Sequence, residues 1–93
     1  MRPAVCLTNP IGLYRHVVLA FITSQIPEDV LEYDVVLDSS RDDFSTTGLR
    51  VSSTIRLHHL MTVSTSLFER ELGKLSLQMQ SEVNNVLRKL FDL

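Results

Sequence analysis

Arg2, Thr23, Ser24 and Gln25 are the residues of this chain whose types could do chemistry together. A guanidinium is a planar fork that can hold two phosphate oxygens, while a hydroxyl donates to a third or orients an attacking group. Such a set suits a phosphodiester. The competing constellations carry less. Glycines at 12, 48 and 73 stand too far apart for a phosphate-cradling loop, so nucleotide binding of that kind is excluded. His58 and His59 are neighbours, and neighbours on a strand point to opposite faces, so they are not expected to share a metal ion. A Cys6–His16 relay would need an activated thiol, whereas Cys6 sits in an apolar run where a small buried residue is expected. Histidine pairs can serve as acid and base, with pKa values of about 6.5, but the spacing of the three histidines gives that no support. Neither a metal nor a cofactor is expected.

The elements that would position the first set are short strands. Ala4–Thr8 is apolar and bounded by Pro3 and Asn9-Pro10, and His16–Ser24 is rich in β-branched and aromatic residues. A hairpin about Gly12 and Leu13 places Cys6 opposite Leu19, Ala4 opposite Phe21 and Arg2 opposite Thr23. Opposed residues share a face, so this register unites Arg2 and Thr23, and a one-residue slip would part them. Asp34–Leu37 reads as a third strand. The polar stretch 38–43 cannot be core, and Val51–Leu57 is a further strand that 60–64 either continues or pairs with after a bend. The absence of long helices between strands predicts an antiparallel sheet or small barrel. Met79, Val83, Val86, Leu87 and Leu90 recur at helical spacing behind Ser76 as N-cap, with Glu82 near the start and Arg88 and Lys89 near the end, where they suit the helix dipole. Residues 69–75 fit either period, although Gly73 favours strand or turn.

Ninety-three residues make one domain, 1–93, and a chain of this size often needs a partner subunit to bury enough surface. A hydrophobic share of 44% with 22% charged residues argues against disorder. The longest apolar run, Val17–Ile22, is far below the roughly 20 residues of a membrane span, and the N-terminus does not read as a signal peptide. With a single cysteine, these features point to a cytoplasmic protein without membrane association. The net charge of −2 is uneven, because residues 28–43 carry seven acids against Arg41 alone. Any site for a polyanion must therefore be local.

Five blocks in order carry a family resemblance: Arg2-Pro3-Ala4-Val5-Cys6-Leu7-Thr8-Asn9, Ile22-Thr23-Ser24-Gln25, Gly48-Leu49 leading to Ser53-Thr54-Ile55-Arg56-Leu57, Leu60-Met61-Thr62-Val63, and Leu72-Gly73-Lys74-Leu75-Ser76. Over nearly the whole chain the sequence resembles the MazF/PemK family of toxin endoribonucleases. The resemblance implies a mainly β fold with a C-terminal α-helix, a small SH3-like β-barrel of the MazF/CcdB type, assembled as a homodimer. It implies metal-independent cleavage of single-stranded RNA, leaving a 2′,3′-cyclic phosphate and a 5′-hydroxyl, and a cognate antitoxin as partner. By that resemblance Arg2 and Thr23 are the catalytic residues, with Ser24, Gln25 and Arg56 supporting them or contacting RNA. Base specificity would come from loops at 9–15 and 38–47.

Chemically, Arg2 suits stabilisation of charge building on the phosphate oxygens. It is a poor proton acceptor, and no general base is identified. Members of the family usually open with a further strand, often G-D-x-V, ahead of the arginine-proline block, so the barrel is expected to be incomplete at its N-terminal edge. That leaves, as an alternative, a catalytically inactive member that binds RNA or antitoxin without cleavage. A gyrase-directed toxin of the CcdB type shares the implied fold, but the Arg2 and Thr23 match argues against it.

Overall fold

Four antiparallel strands form the sheet: β1 (Ala4–Cys6), β2 (His16–Thr23), β3 (Asp34–Leu37) and β4 (Ser53–Ser64), in the order β1-β2-β4-β3. The helix α1 (Leu77–Leu90) follows. The computed structural model describes residues 2–93. Its sheet curls into a half-barrel, mainly β with one C-terminal helix. The β1–β2 register is the one the hairpin reading predicts, with Ala4 opposite Phe21, Val5 opposite Ala20 and Cys6 opposite Leu19. Backbone bonds extend it at both ends, Ile22 N–H donating to the Pro3 carbonyl (3.0 Å) and Leu7 N–H to that of Val18 (2.8 Å). Beyond Leu7 the hairpin loses its symmetry. The Thr8 hydroxyl accepts from Val18 N–H at 3.1 Å, and an isolated Ile11–His16 bridge closes the tip.

Strand β4 is a single strand bent by a large bulge. Ala20 pairs with Leu60 but Ile22 pairs with Ile55, so residues 56–59 lie opposite Phe21 alone. Extra residues on one strand increase local twist and bend it. One sheet face carries Ala20, Ile22, Val35, Leu37, Ile55 and Leu57, which pack against Met79 and Val83 of α1. Period two on the strands and period 3.6 on the helix thus meet in one core. Ser76 caps the helix as its position predicts, its hydroxyl accepting from Met79 N–H at 3.0 Å.

Two sequence expectations are corrected here. Cys6 is exposed, not buried, because it lies on an edge strand on the face away from that core, although partial desolvation still pushes its thiol pKa up. His58 and His59 are not held apart, because the bulge breaks strict alternation, and their ring centroids stand 4.2 Å from each other.

Loop 38–47 is fastened to the start of α1. The Arg41 guanidinium donates to both Asp43 and Glu82, with its shortest contact, 2.6 Å, to Glu82. Ser76 donates in turn to Asp43. Glu82 therefore serves this clamp as well as the helix dipole. The segment 67–75 takes no regular strand or helix over 68–75. It is pinned instead by close backbone approach: Lys74 N–H donates to the Thr46 carbonyl at 2.7 Å. A Cβ on Gly48 would overlap the Leu72 carbonyl, and one on Gly73 would overlap the Thr46–Thr47 backbone.

The glycines give a controlled test. Gly12 (φ 75°) and Gly48 (φ 70°) both occupy the left-handed region, yet only Gly48 has a neighbour where a Cβ would go. In urea titrations, Gly12→Ala should cost about 1–2 kcal/mol, the left-handed penalty alone. Gly48→Ala should cost clearly more, and equal losses would show that the Leu72 contact is not tight. The clamp makes a pH prediction. Hydrogen bonds from Arg41, then Ser76, hold the Asp43 carboxyl below its ordinary 3.8. A depressed carboxylate pKa stabilises the fold above the unfolded value, and that contribution fades as pH falls through the folded value. Arg41→Gln should lose stability at pH 7 and show a shallower further decline below about pH 4 than the parent, as read by urea midpoints across pH.

Candidate functional site

Pro3 fixes where the site begins. It has no N–H to give and accepts from Ile22, a role suited to the first residue of an edge strand. Continuing the alternation one residue back sets Arg2 across from Thr23, on the face of Ala4, Cys6, Leu19 and Phe21. The Arg2 guanidinium carbon lies 5.1 Å from the centre of the Phe21 ring, within cation–π range. Thr23, the last residue of β2, is partly buried. Its Oγ1 accepts from Gln25 N–H at 3.3 Å, which leaves the hydroxyl hydrogen free to donate.

The row continues across the sheet. Thr23 pairs with Thr54, and Thr54 with Val36. Thr54 is fully buried, and its hydroxyl oxygen has no partner among the described residues. Two residues along β4, on the same face, Arg56 lies opposite Asp34. Its Nε donates to Asp34 Oδ1 at 3.0 Å and Nη2 to Oδ2 at 3.4 Å. The Asp34 side chain is completely buried and also accepts from Leu31 N–H at 2.9 Å. Arg56 is thus a fixed, largely neutralised guanidinium with Nη1 still available.

The register therefore brings Arg2, Thr23, Thr54 and Arg56 to one face, opposite the one carrying Ile22, Ile55 and Leu57. Ser24 and Gln25 lie exposed just past the end of β2. Ser24 turns into a small concavity of about 340 Å³ shared with Pro3, Ser53, Arg50 and Arg70. A longer, mainly apolar cleft of about 1190 Å³ runs beside β1, between it and segment 67–75, with Arg2 in its wall. Sequence reasoning did not single out Thr54, Arg50 or Arg70. Thr54 could have been found from the register of β4 against Thr23. The arginines had no local signal, since contacts distant in sequence bring them together.

What this face offers chemically is one guanidinium with no carboxylate partner among the described residues, one hydroxyl ready to donate, and a second guanidinium held in place. This is a donor set suited to an oxyanion such as phosphate.

Comparison with known proteins agrees with the fold. MazF-mt6, a Mycobacterium tuberculosis toxin, superposes with a TM-score of 0.77 at 23% sequence identity, covering 99% of this chain and 87% of that one. A second solved structure, described as an Mtb toxin, gives a TM-score of 0.73 at 21% identity, covering 95% and 90%. No curated protein matches the chain by sequence. A family model, described as PemK-like, MazF-like toxin of type II toxin-antitoxin system, matches residues 1–91. With nearly every residue inside that match and the curled sheet and helix of its structural neighbours, the chain belongs to the PemK-like, MazF-like toxins of type II toxin-antitoxin systems.

Proposed function

We propose that the chain is the toxin of a type II toxin-antitoxin pair and a metal-independent endoribonuclease acting on single-stranded RNA. The observation that supports the reading is the β1–β2 register, whose continuation past the Pro3–Ile22 backbone bond makes Arg2 and Thr23 opposed positions at the open end of the hairpin. In the proposed reaction the ribose 2′-oxygen forms a bond to phosphorus and the bond to the 5′-oxygen breaks. A 2′,3′-cyclic phosphate and a 5′-hydroxyl result, with the proton lost by the 2′-hydroxyl balanced by the one gained at the leaving oxygen. Charge builds on the non-bridging oxygens in between. Arg2 meets that charge with its two-pronged donor, swinging from the face of Phe21 onto the phosphate. Thr23, whose oxygen accepts from Gln25 N–H, donates its hydrogen to a phosphate oxygen.

Ser24 and Gln25 flank this point and contact the strand. Arg56, braced by Asp34, offers Nη1 as a positioned donor. Loop 9–15 presents Leu13 and Tyr14, 89% and 73% exposed, as apolar and aromatic surfaces on which unpaired bases can stack. Loop 38–47 is held rigid by the Arg41 clamp and would read bases from a fixed frame. The protein acts in the cytoplasm as a homodimer restrained by its cognate antitoxin. Exposed Leu67, Leu77 and Phe91 are in keeping with such association. Among the described residues no helix is long and apolar enough to cross a membrane.

The second reading, a non-cleaving relative that holds RNA or antitoxin, draws on the exposed Arg2 being stacked on Phe21 rather than fixed by a carboxylate. One assay separates the two. Purified protein is incubated with single-stranded RNA in chelator and the new 5′-hydroxyl ends are counted. Cleavage is expected, falling by about 10²–10³ in Arg2→Ala and strongly in Thr23→Ala. Undiminished cleavage in both variants would remove the site assignment, while a folded parent that binds but does not cut would establish the second reading.

A further inference from the structure

We infer that the concavity shared by Ser24, Arg50 and Arg70 is a second phosphate-binding subsite, which grips a linkage of the RNA strand other than the one that is cut. The inference rests on the RNA reading above. Its walls come from three parts of the chain: Ser24 after β2, Arg50 before β4, and Arg70 in segment 67–75. These converge because backbone meets backbone at Gly48 against Leu72 and Gly73 against Thr46–Thr47. Lys74 N–H bonded to the Thr46 carbonyl at 2.7 Å locks the approach. The two arginines are therefore brought to one hollow by this close backbone approach.

Their charge is also unspent. Arg41 and Arg56 are both engaged by carboxylates, whereas neither Arg50 nor Arg70 has an ion-pair partner among the described residues, although Glu69 and Glu71 flank Arg70 in sequence. Ser53 lines the same hollow and is buried, with its hydroxyl hydrogen given to the Val51 carbonyl at 2.8 Å. The exposed Ser24 hydroxyl has no hydrogen-bond partner among the described residues and stands ready to donate. Two guanidiniums and a hydroxyl stand around a hollow of about 340 Å³ otherwise lined by Gly48, Leu49, Val51 and Leu72, and they supply the donors that the two non-bridging oxygens of a phosphodiester accept from.

Position gives the subsite its purpose. Pro3 and Ser24 line it, and they are the chain neighbours of Arg2 and Thr23. A strand lying from one to the other passes around the open end of the β1–β2 hairpin. Phosphate contacts fix register without reading sequence. A grip here would decide which linkage comes to rest on Arg2 and Thr23.

The test has two arms, each run on the parent and on an Arg50→Gln/Arg70→Gln double variant, both residues being exposed and outside the core. In the first, inorganic phosphate is titrated while backbone amide resonances are followed. Saturable shifts at Ser24, Arg50 and Val51, absent in the variant, are expected. In the second, a short single-stranded 2′-O-methyl oligonucleotide, which cannot be cut, is bound across roughly 50 to 200 mM salt. The variant should bind roughly tenfold or more weakly, with the log–log salt slope reduced by about 0.7, one phosphate's share on a single strand. Phosphate shifts without oligonucleotide binding would keep the subsite and sink the RNA reading. Oligonucleotide binding with the same slope in parent and variant would sink the subsite and keep the RNA reading. Failure of both arms with a folded parent would overturn both.

Discussion

Everything at the candidate site hangs on the antiparallel ladder between β1 and β2. Three residues of strand would be a weak anchor alone, since isolated hairpins are marginal in water. The ladder holds because Val5 and Leu7, on its inward face, are partly buried against the main core. Hydrophobic burial fixes which residues of β1 point in, and period two then dictates which point out. Arg2, Ala4 and Cys6 follow as the outward set. A slip of one residue would drive Val5 into solvent and Arg2 away from Thr23 in the same movement, so the packing term that stabilises the sheet is also what specifies the site.

The second constraint is curvature. A flat sheet would leave Ile22 and Ile55 far from the helix that covers them. The bulge at 56–59 bends β4 across β2, and this lets one face close around Met79 and Val83. Beside it, segment 67–75 returns along the half-barrel without ladder bonds of its own, held where glycine allows two backbones to touch. Gly48 and Gly73 thus perform a structural task that no side chain could, since each position is closed to a Cβ. The cost of glycine in conformational entropy, about 0.5–1 kcal/mol relative to alanine, is repaid by a rigid approach in an otherwise irregular segment.

Local rules were legible in the sequence where local physics decides. The β1–β2 register followed from turn residues and alternation, Asp34–Leu37 was readable as a strand, and Ser76 announced the helix. What could not be read depends on partners distant in sequence. Cys6 looked buried because its neighbours are apolar, yet edge position overrode composition. His58 and His59 were separated by a rule that holds for regular strands and fails inside a bulge. Glu82 looked like a residue placed for the helix dipole, while its closest partner, Arg41, lies 41 positions away. For the site, Arg2 and Thr23 were visible as residue types, but the buried Thr54 hydroxyl behind them and the pairing of Arg56 with Asp34 needed the β2–β4 and β3–β4 registers.

Charge shows why composition misleads about ligands here. An acidic chain with seven acids packed into residues 28–43 looks hostile to RNA. The fold takes Asp34 and Asp43 out of that account by pairing them with Arg56 and Arg41, so those two carboxylates act as braces rather than as a field. Arg2, Arg50 and Arg70 keep their charge, and all three border the end of the β1–β2 hairpin, in the walls of its two clefts. Screening limits exposed charges to a reach of about 10 Å at 0.1 M salt, so a phosphate there responds to nearby guanidiniums more than to the net charge of the molecule. For a polyanion that binds one linkage at a time, the placement of a few unpaired arginines therefore outranks the sum over the sequence.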